Sequence, residues 1–353
     1  MKIKLAILEK DSAYLSRMVT VFGTKYADRL EIYSFTDQNI AISTLADARI
    51  DVLVASDAFD IDTSLLPKRC GFAYFVESSD VESVNDQRAI CKFQKAELIY
   101  KQILSIFAEK ATNLAGIRFD DDSCAVIAFL SAAGGVGSSS MAAACAIRYA
   151  GQGKKVLYIN LEPFGTADAY FSGEGKFDMG DVIFALKSKR TNLQMKLESH
   201  VRRDATGVCF FAGTKVALDM MSLGTEEVLQ LISELKLTGA YEYIILDMEF
   251  SLGEETRKIL KASNAIVLVS DGSDTGNIKT FRAYTALDIM EQNADTPLTA
   301  RMKLVYNRFS NKTSKTLTGL SIKEIGGAPR YQHASEADVV RTLASLDVFD
   351  KIL

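Results

Sequence analysis

Residues 131–140 read Ser131-Ala132-Ala133-Gly134-Gly135-Val136-Gly137-Ser138-Ser139-Ser140. An unbroken apolar run, Cys124–Leu130, precedes them, as in a strand buried on both faces of a parallel sheet. A small-residue helix starts after them at Met141-Ala142-Ala143-Ala144. A glycine-rich turn in that setting can cradle a phosphate. Its glycines let successive N–H groups point inward as an anion nest, and the helix adds its positive end. The candidate phosphate-binding residues are therefore Gly134, Gly135, Val136, Gly137, Ser138, Ser139 and Ser140. Ser139 stands where a hydroxyl ligates Mg²⁺. Such a turn can also be purely structural, so phosphate binding needs support from elsewhere in the chain.

Three downstream stretches bear on it. Lys154-Lys155-Val156-Leu157-Tyr158-Ile159-Asn160-Leu161-Glu162 is a strand with a polar, acidic tip, one helix further on. Glu242-Tyr243-Ile244-Ile245-Leu246-Asp247 is an apolar strand ending in an acid, as in a Walker B segment. Asp247 would hold Mg²⁺ through water; otherwise it is a solvated strand end. Leu304-Val305-Tyr306-Asn307-Arg308 ends a further strand, and an asparagine amide can both donate to and accept from an adenine edge. Each element alone is weak, but the ordered set is specific.

Apolar runs and helical patterns alternate along the whole chain, the signature of parallel sheets built from βαβ units. The first block has strands at Lys2–Leu8, Leu30–Phe35, Asp51–Ser56, Phe72–Val76 and Ile90–Phe93, and helices at Ser12–Lys25, Asp37–Ala48 and Ala96–Glu109. We read it as five βα units. After the acidic run Asp120-Asp121-Asp122 the alternation restarts. The second block has strands at Cys124–Leu130, Lys155–Ile159, Val208–Phe211, Tyr243–Asp247, Ala265–Ser270 and Met302–Asn307. Its helices are expected at Ser139–Ala150, Thr225–Leu237, Glu254–Ala262, Thr275–Gln292 and Glu336–Leu346. The expected fold is α/β, with two doubly wound parallel-sheet domains at 1–110 and 124–353 and a linker at 111–123.

The second block, from Cys124 onward, resembles the MinD/ParA family of deviant Walker ATPases. The match is carried by the Gly-Gly-Val-Gly loop, the acidic-tipped strand, Asp247 and the Asn307-Arg308 pair. The resemblance implies a P-loop NTPase fold that holds ATP and Mg²⁺ between two protomers, with Ser139 and Asp247 on the metal and Asn307 and Arg308 on the nucleotide. The family's Gly-Lys-Gly-Gly-Val-Gly-Lys-Thr pattern carries two lysines, whose positions here are Ala133 and Ser138. Phosphoryl transfer is catalysed mostly by electrostatic positioning, so losing both cations should slow turnover more than binding. Glu162 falls at the family's water-orienting position and is the candidate for remaining hydrolysis. The first residue of that Asp-x-Asp pair is Asn160 here, a departure from the family pattern.

The first block resembles the receiver domain of response regulators, a flavodoxin-like fold of strand order 2-1-3-4-5. A working receiver needs an acidic pair after strand one, where this chain has Glu9-Lys10-Asp11. The phosphoacceptor position falls on Ser56, with Asp57 one residue later; Ser78 and Lys92 lie near the remaining positions. The expectation is a degenerate receiver kept as a docking surface.

Composition narrows the class. Lys and Arg number 41 against 45 Asp and Glu, for a net charge of -4, among 353 residues. No global basic surface invites nucleic acid, and Lys187-Ser188-Lys189-Arg190 and Arg202-Arg203 read as solvated charges. Cys70, Cys91, Cys124, Cys145 and Cys209 show no CxxC spacing and read as reduced thiols. With two histidines, His200 and His333, a His-rich metal site is nearly excluded. No apolar run has the ~18 residues of a membrane span, and the start is too short and too quickly charged for a signal peptide. The tail, Leu346–Leu353, has two aspartates and one lysine and disfavours direct membrane docking. The expectation is a soluble, cytoplasmic chain.

A degenerate receiver joined to a MinD/ParA-like domain without loop lysines resembles the TadZ/CpaE family across essentially the whole chain. That implies an ATP-dependent homodimeric scaffold with low ATPase activity. The receiver would recruit Tad pilus and secretion components to a cell pole or the inner membrane face. The alternative is an active ParA-type partitioning ATPase cycling on DNA or membrane. Lys279, Arg308 and Arg330 are candidates to replace the lysines.

Overall fold

The computed structural model describes residues 2–110, 124–165, 167–188, 192–292 and 297–353. The expected linker at 111–123, with its acidic run, lies outside the described residues, as do Lys189 and Arg190. The chain divides into two compact units, Met1–Gly116 with Lys189–Ser199, and Ile117–Ser188 with His200–Leu353.

The first unit holds β1 (Ile3–Leu8), α1 (Ser12–Lys25), β2 (Leu30–Phe35), α2 (Gln38–Asp47), β3 (Val52–Ser56), β4 (Gly71–Val76), β5 (Ser83–Val84), β6 (Gln87–Cys91) and α3 (Ala96–Lys110). The sheet order is β2-β1-β3-β4-β6-β5, parallel except for the β5–β6 pair. Without β5 this is the expected 2-1-3-4-5 order. Asp11 starts α1 by accepting from the Ala13 and Tyr14 N–H groups, and Asp37 starts α2 in the same way. One face of the sheet packs residues of α1 and α3, including Phe22 and Ile103, and the other packs Ala41 and Leu45 of α2.

Five parallel strands are present, but only two of the four connections between them carry α-helices, α1 and α2, while α3 follows the last strand. β3 and β4 are joined through a single 3-10 turn at Thr63–Leu65, and β4 and β6 through a short ribbon. That ribbon turns at Asn85 and Asp86, with φ of 50° and 58°. Positive φ at both central residues defines a tight I′ hairpin, a local preference that displaces the helix.

Lys189–Ser199, expected in the second domain, is grouped with the first unit. Its described part carries Met195, which packs on the sheet core. Lys196 pairs with Glu109 at 3.5 Å and Arg29 with Glu198 at 3.1 Å.

The second unit is built on β7 (Ala125–Leu130), β8 (Val156–Asn160), β9 (Arg202–Arg203), β10 (Cys209–Phe210), β11 (Tyr243–Asp247), β12 (Ala265–Ser270), β13 (Met302–Phe309) and β14 (Lys323–Pro329). Their order is β14-β13-β12-β7-β11-β8-β10-β9, parallel except for β9. β14 was not expected; its Gly326, Gly327 and Pro329 mask a strand pattern. The helices are α4 (Ser138–Gly151), α5 (Ala167–Tyr170), α6 (Met179–Lys187), α7 (Leu193–His200), α8 (Thr225–Leu237), α9 (Glu254–Lys261), α10 (Asp274–Met290) and α11 (Glu336–Ala344); all of α7 but His200 is grouped with the first unit.

α4 packs on α11 over a core that includes Val348, Phe349 and Ile352 of the tail. Those three apolar side chains are thereby buried, while Leu353 is exposed. Parallel pairing brings the carboxyl ends of β7, β8, β11 and β13 to one edge, where open α/β sheets bind ligands. Four of the five cysteines are buried and none is in a disulfide. Among the described residues no helix is long and apolar enough to cross a membrane.

Candidate functional site

β7 runs directly into the glycine-rich loop. Ser131 Oγ lies 2.7 Å from the Val269 carbonyl and accepts from the Ala133 N–H at 3.1 Å, which ties the loop's start to β12. Gly135 and Gly137 have φ of 77° and 85°, a left-handed region that costs glycine little. Gly137 is the N-cap of α4 and no side chain caps that end. The first N–H groups of α4 therefore remain available to an anion. Ala133 is buried, and the Ser138 hydroxyl is buried without a hydrogen-bond partner. Ser140 Oγ lies 3.4 Å from the Tyr170 hydroxyl.

The adenine-edge role expected of Asn307 is not what its amide does in this structure. Nδ2 donates to the Val136 carbonyl at 2.9 Å and, at 3.4 Å, to that of Gly137; Oδ1 accepts from the Arg308 N–H at 3.0 Å. Asn307 is 3% exposed, so the amide is spent on holding the loop. Arg308 has φ of 56° and its Nη1 donates to the Gly135 carbonyl at 2.8 Å. Lys279 and Arg330 are both exposed, on α10 and just beyond β14.

An acidic cluster faces the loop from β8 and β11. Asp247 is fully buried, and its Oδ2 accepts from the Tyr158 hydroxyl at 2.7 Å and from Asn160 Nδ2 at 2.8 Å. Asn160 Oδ1 accepts from the Glu162 N–H at 2.9 Å, and Glu162 Oε1 lies 3.5 Å from Ser139 Oγ. Burial, and then the charge of Glu162, push Asp247 up to about 7. Burial also raises Glu162, with Glu249 adding to it. Burial and the neighbouring Asp247 hold the Tyr158 hydroxyl protonated. Sequence reasoning passed over Tyr158, because a tyrosine inside an apolar strand reads as packing.

These residues fit a magnesium ion. Asp247 Oδ1 is buried with no hydrogen-bond partner, and two carboxyls are held close at the cost of raised proton affinity. A cation beside the Ser139 hydroxyl would relieve both. Among the described residues no three His, Cys, Asp or Glu side chains gather to hold a metal by themselves. Mg²⁺ does not need them, since it keeps waters and phosphate oxygens and takes only one or two protein groups.

In the first unit Asp11, Glu9, Lys92 and Ser56, at or next to the receiver positions, are otherwise engaged. Asp11 caps α1, which lowers its pKa chiefly through the Tyr14 N–H. Lys92 Nζ lies 3.1 Å from Glu77 Oε1 and 3.9 Å from Glu9 Oε2, with Glu9 buried. Burial pulls the Lys92 pKa down, but the two carboxylates outweigh it and leave it raised. Ser56 is buried, and its hydroxyl accepts from the Ala58 N–H at 3.4 Å. Asp57 is exposed. Ser78 accepts from the Asp80 N–H in a surface turn.

Residues 1–108 match the family model of the TadZ-like receiver domain, and residues 124–279 match that of an AAA domain. The chain is 26% identical over 269 residues to the flagellum site-determining protein YlxH of Helicobacter pylori, covering 69% of this chain and 86% of that protein. A ParA family ATPase from Chlorobium tepidum TLS has the same fold over 66% of this chain and 97% of its own, with a TM-score of 0.51 and 21% identity. The MinC:MinD cell division protein complex of Aquifex aeolicus matches over 65% of this chain and 93% of that one, with a TM-score of 0.47 and 18% identity.

Proposed function

We propose that this chain, a TadZ-like receiver domain joined to an AAA domain of the MinD/ParA type, is an ATP-binding localisation scaffold that dimerises on ATP and hydrolyses it slowly. The observation that carries the reading is the loop itself. Its backbone nest, the uncapped end of α4, Ser139 and Asp247 are all in place, while Ala133 and Ser138 stand at the two lysine positions.

Mg²⁺, when bound, supplies positive charge at the phosphates. The chain's own parts do the rest. Loop N–H groups bind the phosphate oxygens, and Asn307 keeps the loop in shape. Tyr158 and Asn160 orient Asp247 so that Oδ1 is left for the metal side. Glu162, raised by burial, is the group that can take a proton from an attacking water, and without loop cations it works slowly.

Dimerisation finds support at the carboxyl edge of the second sheet. Phe164, Leu218 and Met221 are 80%, 70% and 77% exposed there, in the segments that line a cavity of about 80 Å³ beside Asn160. Exposed apolar patches of this kind mark association faces. The receiver, with Asp11 and Lys92 engaged internally, is read as the docking surface for Tad pilus and secretion components at a cell pole. Arg202 donates twice to the Phe177 carbonyl, which takes it from the basic set that a DNA-cycling ATPase would use.

Light scattering with and without ATP and Mg²⁺, paired with a turnover assay, tests the reading. An ATP-dependent dimer with negligible turnover supports the scaffold; rapid turnover or a nucleotide-independent monomer overturns it.

A further inference from the structure

We infer that Arg308 is the cation that stands in for the missing loop lysines at the nucleotide's phosphates. The inference rests on the proposed ATP binding and adds to it the side chain that recognises the polyphosphate.

Arg308 bonds to the loop from a strand two positions away in the sheet, through Nη1 and the Gly135 carbonyl at 2.8 Å. Its aim is built into the backbone. The pairing of β13 with β14 shifts register between Tyr306 and Phe309, and such irregularities re-aim side chains next to active sites. Arg308 also adopts φ of 56°, in the left-handed region that non-glycine residues rarely visit. The Asn307 amide holds it there by accepting the Arg308 N–H.

The guanidinium is equipped for an anion. It carries five N–H donors in a planar fork, of which one engages Gly135. Arg308 is exposed, and among the described residues no carboxylate pairs with it. It can keep its hold on the loop carbonyl and offer the remaining donors to a phosphate. That supplies from β13 the charge which Ala133 and Ser138 do not.

The test measures equilibrium affinities of the full-length protein for ATP and adenosine in the parent, Arg308→Gln and Arg308→Lys. Gln retains an N–H for Gly135 and removes the charge. The expected result is a fall of about tenfold or more in the ATP-to-adenosine affinity ratio for R308Q, largely restored in R308K, with unchanged melting temperatures. If R308Q is unstable, Arg308→Met, which keeps the stem and removes the charge, carries the same ATP-to-adenosine comparison. A parent that binds ATP but whose ratio R308Q leaves unchanged overturns this inference alone. An equal loss for ATP and adenosine also overturns it, since Arg308 would then only shape the loop. A parent with no ATP affinity overturns the nucleotide reading and this inference together.

Discussion

A β-carbon on Gly137 would stand 2.5 Å from Asn307 Nδ2, the same nitrogen that reaches the Val136 carbonyl at 2.9 Å. The residue that starts α4 and the residue near the end of β13 therefore occupy one space. Neither can change without moving the loop.

Gly137→Ala meets both that clash and the left-handed φ of 85°, which alone costs a side chain about 1–2 kcal/mol. ATP affinity measured by calorimetry should fall by about tenfold or more. Unaltered affinity would mean that the loop does not hold the nucleotide.

Asp247 supplies a pH dependence. Its folded pKa, about 7 against an ordinary 3.8, means that the folded chain holds this proton more tightly than the unfolded one. The resulting stabilisation is fully present below about pH 4 and is lost as pH rises through about 7. Mg²⁺ needs the carboxylate, so Mg²⁺-dependent ATP affinity should rise between pH 6 and pH 8 and level off above. Asp247→Asn should abolish that slope; a slope that survives the substitution assigns the titration to another group.

Ser138→Lys returns a cation to the start of α4, where the serine hydroxyl is buried without a partner. Because phosphoryl transfer depends on such charge, turnover in a phosphate-release assay should rise by about tenfold or more. If it does not, the missing lysine is not what limits turnover.

In the receiver, Lys92 has a side chain only 10% exposed beside a Glu9 side chain that is 3% exposed. Lys92→Met leaves Glu9 buried without its cation and should destabilise the first unit by about 3 kcal/mol, read by hydrogen exchange across β1 and β6 in the full chain. With Lys92 and Asp11 engaged internally, incubation with acetyl phosphate should give no mass adduct. A stoichiometric phosphate on Asp57 would show that the receiver still works as one.

Much of this was legible along the chain. The strand β11, the helix α8 and the loop before α4 stand where apolar periodicity and glycine spacing put them, because each depends on neighbours within a few residues. The I′ turn at Asn85 and Asp86 was not read from the sequence, where the expected alternation of strands and helices put a helix after each strand. β14 was hidden by its glycines and proline. The grouping of Met195 with the first sheet had no local signal, since nothing in 189–199 states which core it meets.

The sequence by itself determined the α/β class, the two sheets, the glycine-rich loop and the acid at the end of β11. It also showed the absence of lysine at positions 133 and 138, because these features are read from consecutive residues. Only the tertiary structure decided what Asn307 and Arg308 do. Their partners lie 171 and 173 positions away. The contacts exist because β12 lies between β7 and β13 in the sheet and the strand ends share one edge. Strand order, not residue type, turned the Asn307 amide onto the loop.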